Sequence, residues 1–289
     1  MRRGLPRPVR AYISDRTEGL WHQIQKLALG VGAIALWPQK MNDPRMLDQV
    51  KALGADLAIV AGLDRILGHR SLEAFPPLFN IHPSLLPEYR GPSPEFWQID
   101  AGITEGGVTV HMIEAGIDTG PVVLQRRLSI EPWLDVEGLK ERVVEVGIGL
   151  MHELLDGFPN IAATPTPQVG GSYQTNPRAE DQLVRFEQRA EAVFNRARAV
   201  GLSSPLLVYV PLRAWHNGEA SLQCSLVPDG EHLTLELYEP VPYPNTTLGN
   251  PGLLTRTMTG GVVISCSPGV VEFRRVKVTG AAESHLPAS

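Results

Sequence analysis

Strand-like and helix-like segments alternate along the first half of the chain. The strand patterns lie at residues 9–14, 33–37, 56–63, 78–82 and 106–113, and the helix patterns lie at 17–30, 43–54 and 136–158. The run DLAIVAGL (56–63) is almost continuously apolar, as expected for a strand that is covered on both faces. Such alternation is typical of a sheet whose strands are connected by helices. We therefore predict an α/β fold with an open, mostly parallel sheet.

The pattern changes in the second half of the chain. Residues 159–178 are rich in Pro, Gly, Ser and Thr, as in a linker, and residues 179–200 have helical spacing. Short strand patterns follow, separated by turn signals such as PDGEH (228–232), which favours a small antiparallel barrel or sandwich. We predict a first domain at 1–160, a linker at 161–178, and a helix plus a small OB-like β-barrel at 179–289.

The charge and the cysteines exclude several classes of protein. The formal net charge is −5, so an RNA partner would have to bind a local basic patch. The longest nearly apolar run, LALGVGAIALW (27–37), is far shorter than the roughly 18 to 20 residues of a membrane span. The two cysteines, Cys224 and Cys266, fit neither a disulfide framework nor a metal site. We expect a cytoplasmic protein with no metal and no membrane segment.

The strand pattern LFNIH (78–82) ends in two polar side chains. Residues i and i+2 of a strand point to the same face, so Asn80 and His82 point to the same side, and Pro83 ends the strand. Ligands of open α/β sheets bind beyond the carboxyl ends of the strands. The position suits a binding site, although the following loop alone would also satisfy two such side chains.

A second stretch, GGVTVHMIEAGIDTGPVVLQ (106–125), strengthens this candidate. Asp118 follows a predicted strand, and the flanking Gly116 and Gly120 allow backbone conformations that other residues avoid. An aspartate there is able to fix the tautomer of His82 and to stabilise its protonated form. With the asparagine, the two residues form a unit suited to a reaction that passes through an oxyanion.

At these residues the sequence resembles a known family. The run NIHPSLLPEYRG (80–91), followed by GVTVH (107–111) and IDTGP (117–121), is similar to the motifs of the 10-formyltetrahydrofolate-dependent formyltransferases. The resemblance implies direct transfer of the formyl group from N10 of 10-formyltetrahydrofolate to a primary amine, without a metal. It implies a catalytic set of Asn80, His82 and Asp118. The first two would donate hydrogen bonds to the oxyanion, and the aspartate would orient the histidine.

The resemblance also implies where the substrates bind. The folate site would be lined by Ser84, Leu85, Leu86 and Pro87. The pterin would be held by Ile66, Leu67, Glu114, Gly116 and Ile117. The acceptor would be contacted by Arg90, Gly91 and Gly120. Apolar walls with a few backbone hydrogen bonds suit a flat heterocycle.

The second half of the chain favours one branch of the family. Segments 170–201 and 250–280 resemble the linker, helix and last barrel strands of methionyl-tRNA formyltransferases. The amine acceptor would then be initiator methionyl-tRNA, and the process would be translation initiation. Three alternatives stay open, namely a nucleotide-sugar N-formyltransferase, a formyltetrahydrofolate hydrolase and a non-catalytic folate-binding protein. A monomer is favoured.

Three features depart from the tRNA branch. Typical members begin with a strand, a glycine-containing turn and a helix before the strand that residues 9–14 match, so we expect an N-terminally shortened, Rossmann-like sheet. Glu88 stands where a basic residue is common. The basic residues of the second half form either a solvated face or a phosphate-binding strip; they are Arg178, Arg185, Arg189, Arg196, Arg198, Arg274, Arg275 and Lys277.

Overall fold

The computed structural model describes residues 11–13, 34–36, 43–62, 66–201, 205–212, 215, 217–224, 232–246 and 248–279. The chain divides into two compact units. The first groups Met1–Pro94, Glu105–Ser129 and Glu141–Thr175, and the second groups Glu95–Thr104, Ile130–Lys140 and Asn176–Ser289. The predicted domain bounds, 1–160 and 179–289 with a linker at 161–178, stay a prediction. The helix predicted at 17–30 lies outside the described residues.

The strands of the first unit form a mixed arrangement. Strand β1 (Ala11–Ile13) pairs in parallel with β2 (Ile34–Leu36). A four-stranded sheet has the order β3 (Ala58–Ala61), β4 (Leu78–His82), β5 (Glu105–Met112) and β6 (Val122–Ser129). Its β3–β4 pair is parallel, whereas β4–β5 and β5–β6 are antiparallel. The predicted α/β class is confirmed, but the described sheet is mixed rather than mostly parallel, because β5 runs opposite to both of its neighbours.

Helix α1 (Pro44–Ala52) begins and ends at the predicted signals. The Asp43 side chain accepts a hydrogen bond from the backbone N–H of Arg45 at 2.9 Å, and proline occupies the first turn, where its missing N–H costs nothing. Gly54 follows the helix with a φ of 55°. One face of α1 packs against helix α2 (His69–Ala74) through Met46, Leu47 and Val50.

The other helices differ from the prediction at residues 179–200. They are α3 (Pro94–Asp100), α4 (Val136–Gly157), α5 (Ala190–Val200) and the 3₁₀ helices Asn160–Ala162 and Ala179–Gln182. The single helix predicted at 179–200 is wrong, because the chain leaves helical geometry between the last 3₁₀ helix and α5. There Val184 donates its backbone N–H to the Leu207 carbonyl at 3.0 Å and buries its side chain. Within the described ranges, no helix combines the length and apolarity that a bilayer crossing requires.

The second unit contains a six-stranded antiparallel sheet. Its order is β7 (Leu206–Pro211), β9 (His232–Tyr243), β12 (Val270–Thr279), β11 (Val262–Ser265), β10 (Leu253–Arg256) and β8 (Ser221–Gln223). In the first half of β9 every second residue enters the core, as Leu233, Leu235 and Leu237 show. Cα atoms of the two edge strands approach within 8 Å, so the sheet curls. The predicted antiparallel β domain is confirmed as a partly closed barrel.

A largely buried ion-pair network connects α5 to other segments of the second unit. Nη1 of Arg196 donates to Oδ1 of Asp181 at 2.9 Å, Nη2 donates to Oδ2 of Asp100 at 2.7 Å, and Nε also donates to Asp100. The guanidinium lies over the Phe96 ring, 5.5 Å from its centroid, and the side chain is 13% exposed. Arg196 is therefore a structural cation that an RNA phosphate does not reach.

We expect Arg196→Met to lower the free energy of unfolding by about 3 kcal/mol, because it leaves two carboxylates without their shared cation. Urea denaturation followed by circular dichroism measures this change. Arg185→Met makes the same chemical change at an exposed position and should change the stability little. Equal effects of the two variants would contradict a structural role for Arg196.

Candidate active site

Two antiparallel strands, β4 and β5, bring the first polar side chains together. Their register places Asn80 directly opposite His111, and His82 directly opposite Thr109. Directly opposite residues of an antiparallel pair lie on the same face. His111 therefore joins Asn80 and His82 on one side of the sheet. His111 belongs to the GVTVH motif, but its neighbours follow from the strand register, which spacing along the chain does not show.

Asp118, in the loop between β5 and β6, completes the cluster. Its Oδ1 accepts a hydrogen bond from the Asn80 amide nitrogen at 3.3 Å, and its Oδ2 accepts one from the Gly91 backbone N–H at 2.9 Å. Oδ2 also lies 3.6 Å from Nδ1 of His82, and Oδ1 lies 3.4 Å from Nε2 of His111. The structure thus brings together the three residues predicted to act as a unit, and it adds His111.

The backbone of the Asp118 loop differs from the expectation. Asp118 itself has a φ of 53°, in the left-handed region, whereas Gly116 and Gly120 do not adopt that region. Aspartate tolerates this conformation better than most side chains do. A side chain at Gly120 would collide with the Met112 carbonyl oxygen, and one at Gly116 would collide with Thr119. The two glycines therefore provide space inside the loop rather than an unusual φ.

The two ring nitrogens of His82 face different acceptors. Nε2 lies 2.9 Å from the carbonyl oxygen of Tyr89, so this nitrogen carries a hydrogen. In a neutral ring, Nδ1 then presents a lone pair towards the Asp118 carboxylate. Burial lowers the pKa of His82, and the charge of Asp118 offsets this only in part. Neutral His82 is the resting form, and Nδ1 is the atom at which an added proton is stabilised by Asp118.

Asp118 is held in its ionised form. Burial alone would raise the pKa of Asp118, but its contacts with the His111 and His82 rings and the hydrogen bond from the Gly91 N–H together hold it below the ordinary value. The side chain is 15% exposed, so solvent screens these contacts weakly. A fixed negative charge therefore lies beside both imidazoles at neutral pH.

The Asn80 amide is weakly engaged. Its nitrogen lies 3.3 Å from Oδ1 of Asp118 and 3.2 Å from Nε2 of His111. Nδ1 of His111 lies 2.8 Å from the Met112 carbonyl oxygen and carries the ring hydrogen, so Nε2 accepts. Both amide contacts exceed the usual length of about 2.9 Å. The amide hydrogens are therefore easily redirected to a stronger acceptor such as an oxyanion.

We expect His82 to titrate below about 6.5, the value of a free imidazole. Asp118→Asn should move the midpoint further down, because it removes the negative charge that favours the imidazolium. NMR of ¹⁵N-labelled histidine rings measures both values. A midpoint that stays unchanged or rises in the variant would contradict the electrostatic coupling.

The turn that follows β4 is held by one side-chain hydrogen bond of its own and by side chains of β5 and β6. Ser84 and Leu86 are buried, and the Ser84 hydroxyl donates to the Glu88 carbonyl at 2.6 Å. Thr109 donates its hydroxyl to the Ser84 carbonyl at 2.6 Å and accepts the Leu86 N–H at 3.2 Å. Gln125 donates to the Leu86 carbonyl at 2.9 Å. Thr109 and Gln125 are positioning residues that the sequence did not predict.

The other residues predicted to hold folate are more accessible. Ile66 and Ile117 are 73% and 43% exposed, Glu114 and Gly116 are also exposed, and Leu67 is half-buried. In the turn after β4, Leu85 and Pro87 are half-buried. Ile117, which precedes Asp118 in the chain, offers an exposed apolar side chain next to directed polar groups, a mixture that a pterin needs. The residues present therefore fit 10-formyltetrahydrofolate, and their individual contacts stay a prediction.

The residues predicted to contact the acceptor are engaged within the first unit. Nε and Nη2 of Arg90 donate to Oε1 of Gln168 at 3.0 and 2.8 Å. Gly91 has a φ of 91°, and a side chain there would collide with the Gln174 carbonyl oxygen. Gly120 is buried. The contacts of these residues with a substrate stay a prediction. Gln168, the partner of Arg90, lies in the segment that the sequence predicts to be a linker.

Sequence relatives of this chain agree with these features. Residues 14–155 match the family model described as Formyl transferase. The chain is 30% identical to the methionyl-tRNA formyltransferase of Trichlorobacter lovleyi over 275 residues, which covers 92% of this chain and 80% of that protein. It is 35% identical to the methionyl-tRNA formyltransferase of Thermodesulfovibrio yellowstonii over 179 residues, which covers 61% of this chain and 58% of that protein.

A solved structure has the same fold. HypX from Aquifex aeolicus, determined in complex with tetrahydrofolic acid, superimposes with a TM-score of 0.62 at 18% identity. The superposition covers 93% of this chain and 44% of that chain. The family match, the long alignment with T. lovleyi and the clustered Asn80, His82 and Asp118 agree. The chain therefore belongs to the formyltransferase family, as an enzyme that transfers the formyl group of 10-formyltetrahydrofolate and that resembles the methionyl-tRNA formyltransferases in particular.

Proposed function

We propose that the protein formylates the amino group of methionyl-tRNA, and that Asn80, His82 and Asp118 carry the reaction. The main support is geometric. Asp118 lies within 3.3 Å of the asparagine amide and 3.6 Å of the histidine ring, in a cluster where burial lowers the histidine pKa. A hydrogen-bond donor, a proton acceptor and a fixed charge thus meet at the carboxyl end of β4, where open sheets bind ligands.

Asn80 stabilises the charge that develops during transfer. The co-substrate supplies the formyl group on N10, and attack by the amine places negative charge on the formyl oxygen. The Asn80 amide exchanges its long contacts for a hydrogen bond to that oxygen. Removing such a donor typically lowers the rate by about 10²- to 10³-fold.

His82 accepts the proton that the attacking amine must lose. The new C–N bond leaves the amine nitrogen positively charged, and Nδ1 of neutral His82 is a basic atom that no hydrogen-bond donor of the cluster occupies. Asp118 stabilises the resulting imidazolium, since its carboxylate lies 3.6 Å away. The same proton then passes from His82 to N10 as the bond between N10 and the formyl carbon breaks, so His82 ends neutral.

The proposed acceptor, methionyl-tRNA, is inferred from the relatives. A tRNA would need basic side chains that are free to bind its phosphates, so the contacts of the basic residues in the second unit matter. Arg198 is buried and donates to the Leu134 carbonyl at 2.7 Å, and Arg196 is held as described above. Five of the exposed cations face carboxylates, in the pairs Arg178–Glu180, Arg189–Glu191, Arg274–Glu272, Arg275–Glu239 and Lys277–Glu236. A cation paired in this way contributes less to phosphate binding than a free one.

This pairing favours a nucleotide-sugar amine as the second candidate acceptor. A small acceptor needs no extended cationic strip, and the exposed carboxylate of Glu88, beside the turn that follows β4, would repel the many phosphates of a tRNA. Its Oε2 accepts the Ser172 hydroxyl at 2.6 Å, which holds the carboxylate in place.

An acceptor assay separates these functions. The purified protein is incubated with 10-formyltetrahydrofolate and charged initiator tRNA, a nucleotide aminosugar, or no acceptor. We expect formyl-methionyl-tRNA, with little free formate in the arm without acceptor. If only the aminosugar is formylated, the acceptor is a sugar amine and not methionyl-tRNA. Rapid formate release without acceptor would indicate a hydrolase. No turnover and no folate binding by calorimetry would reject the enzyme.

The cysteines agree with a reducing compartment, and we keep the cytoplasm as the proposed location. Cys224 and Cys266 are both free and buried. Burial raises the pKa of each thiol to about 12, so neither is a reactive thiolate. Free thiols of this kind are usual in reducing compartments.

A further inference from the structure

The segment 166–174, which we call the strap, packs along the active-site turn of the first unit. It lies inside the stretch that the sequence assigns to a linker. Thr166 exchanges two backbone hydrogen bonds of 2.8 Å with Val122 of β6. Arg90 donates its N–H to the Ser172 carbonyl at 3.0 Å and accepts the Gln174 N–H at 2.8 Å. The strap is thus a docked element at both ends.

Gln168, in the middle of the strap, uses the full capacity of its side-chain amide. Nε2 donates to the carbonyl oxygens of Asp118 and Gly120 at 2.9 and 2.6 Å. Oε1 accepts from Nε and Nη2 of Arg90 at 3.0 and 2.8 Å. One side chain therefore joins the Asp118 loop to the turn that follows β4, the two segments that carry the candidate catalytic residues.

The Asp118 loop needs such support. Its backbone takes the left-handed region at Asp118, and the neighbouring Ile117 and Thr119 are exposed, so side-chain packing holds it weakly. The two carbonyl groups that Gln168 binds belong to Asp118 itself and to a residue two positions later. Fixing both of them fixes the orientation of the Asp118 peptide, and with it the direction of the carboxylate.

We propose that Gln168 is a positioning residue, which holds the Asp118 loop against Arg90 so that the carboxylate meets His82 and Asn80. The inference rests on the proposed function of these residues. The amide is the required group because it donates two hydrogens and accepts two within a single plane. A glutamate in its place retains the oxygen facing Arg90 but directs a second oxygen at two carbonyl groups.

Gln168→Glu is the decisive variant, because it removes only the hydrogen bonds to the Asp118 and Gly120 carbonyls. It keeps the pairing with Arg90 and so keeps the strap docked. It replaces the donor to the Asp118 and Gly120 carbonyls by a repelling oxygen, which moves the loop. We expect kcat to fall by about 10- to 100-fold, as for a small displacement of catalytic groups, with little change in KM for the acceptor.

Val169→Ala is the matched control in the strap. Val169 is the next residue and is 86% exposed, so this variant should keep the wild-type kcat and thermal midpoint. Circular dichroism melting shows whether the Gln168→Glu variant stays folded. The ring titration of His82, measured by ¹⁵N NMR, gives a second readout, because a carboxylate moved away from the ring lowers the midpoint. A purely structural strap would leave that midpoint unchanged.

The outcomes are distinct. A lower kcat together with a lower His82 midpoint, at an unchanged melting temperature, supports the assignment. A wild-type kcat in the folded variant overturns it, and so does a loss of activity that follows melting while the His82 midpoint stays constant. The titration requires no turnover, so it tests the position of the carboxylate even if the proposed acceptor is wrong.

Discussion

His82→Asn should lower the rate of formyl transfer by about 10²- to 10⁴-fold, the usual contribution of a positioned general base. Asparagine keeps a polar side chain in the 4% exposed position, but it takes up no proton. The proton released by the attacking amine then loses its acceptor at Nδ1 of His82, while Nε2 of His111 already faces the Asn80 amide. Single-turnover transfer from 10-formyltetrahydrofolate measures the chemical step without the contribution of product release.

The matched control for this variant is His69→Asn, which makes the same change where the side chain is 84% exposed, and it should keep the wild-type rate. The His82→Asn variant should also differ from the wild type in how its stability depends on pH. Burial lowers the pKa of His82 in the folded protein, so the unfolded chain binds more protons below about 6.5. Wild-type stability therefore falls as the pH drops from there towards the folded pKa, and His82→Asn lacks this contribution. Transfer at the wild-type rate would reject His82 as the base.

Asp118→Asn should lower the transfer rate on the order of 10³-fold, because the neutral amide no longer stabilises the imidazolium that forms at His82. Asparagine is nearly isosteric and tolerates the left-handed φ of 53°, so the loop should keep its backbone. Its oxygen still accepts the Gly91 N–H. Measured kcat and KM separate the two effects, since the loss should be confined to kcat.

Asp48→Asn provides the matched control, on the exposed face of α1. The Asp118→Asn enzyme should also respond differently to acid. In the wild type the pKa of Asp118 is depressed, so its stabilising contribution is present above the unfolded value and is lost as the pH falls through the lower folded value. An Asp118→Asn variant with the wild-type kcat would show that the carboxylate does not act on His82.

The basic residues of the second unit could not be assigned a role from the sequence alone. A run of arginines at 178–198 is compatible with either a solvated face or a phosphate-binding strip. The structure divides the run, because Arg196 and Arg198 are held by carboxylates and carbonyl groups within the second unit. Spacing along a helix does not reveal which cations meet carboxylates from other segments.

The broken helix at 179–200 has a similar cause. Its spacing and composition fit a single amphipathic helix, and local propensity is a weak predictor where tertiary contacts compete. Val184 instead joins Leu207 of β7 through the backbone, and Val184 and Phe186 are buried in the core of the β domain. The sequence does not predict strand β6, because Gln125, Arg126 and Arg127 interrupt its apolar pattern.

The pair Asn80 and His82, by contrast, follows from local rules. A strand alternates its side chains, Pro83 ends it, and the carboxyl end of such a strand is where ligands bind. The helix signals at Asp43 and Gly54 also hold in the structure, because caps depend on neighbours within a few residues. Interactions of this range are encoded in consecutive residues, so the sequence alone predicts them.

The sequence by itself determined the fold class, the strand that carries Asn80 and His82, and the candidate role of Asp118. The tertiary structure alone decided that His111 stands opposite Asn80, that the left-handed residue is Asp118 rather than its glycines, and that Gln168 reaches 50 residues back to hold the loop. The physical reason is the range of the interactions. Alternation and capping act between neighbours, whereas strand register and hydrogen bonds across loops depend on how distant segments pack.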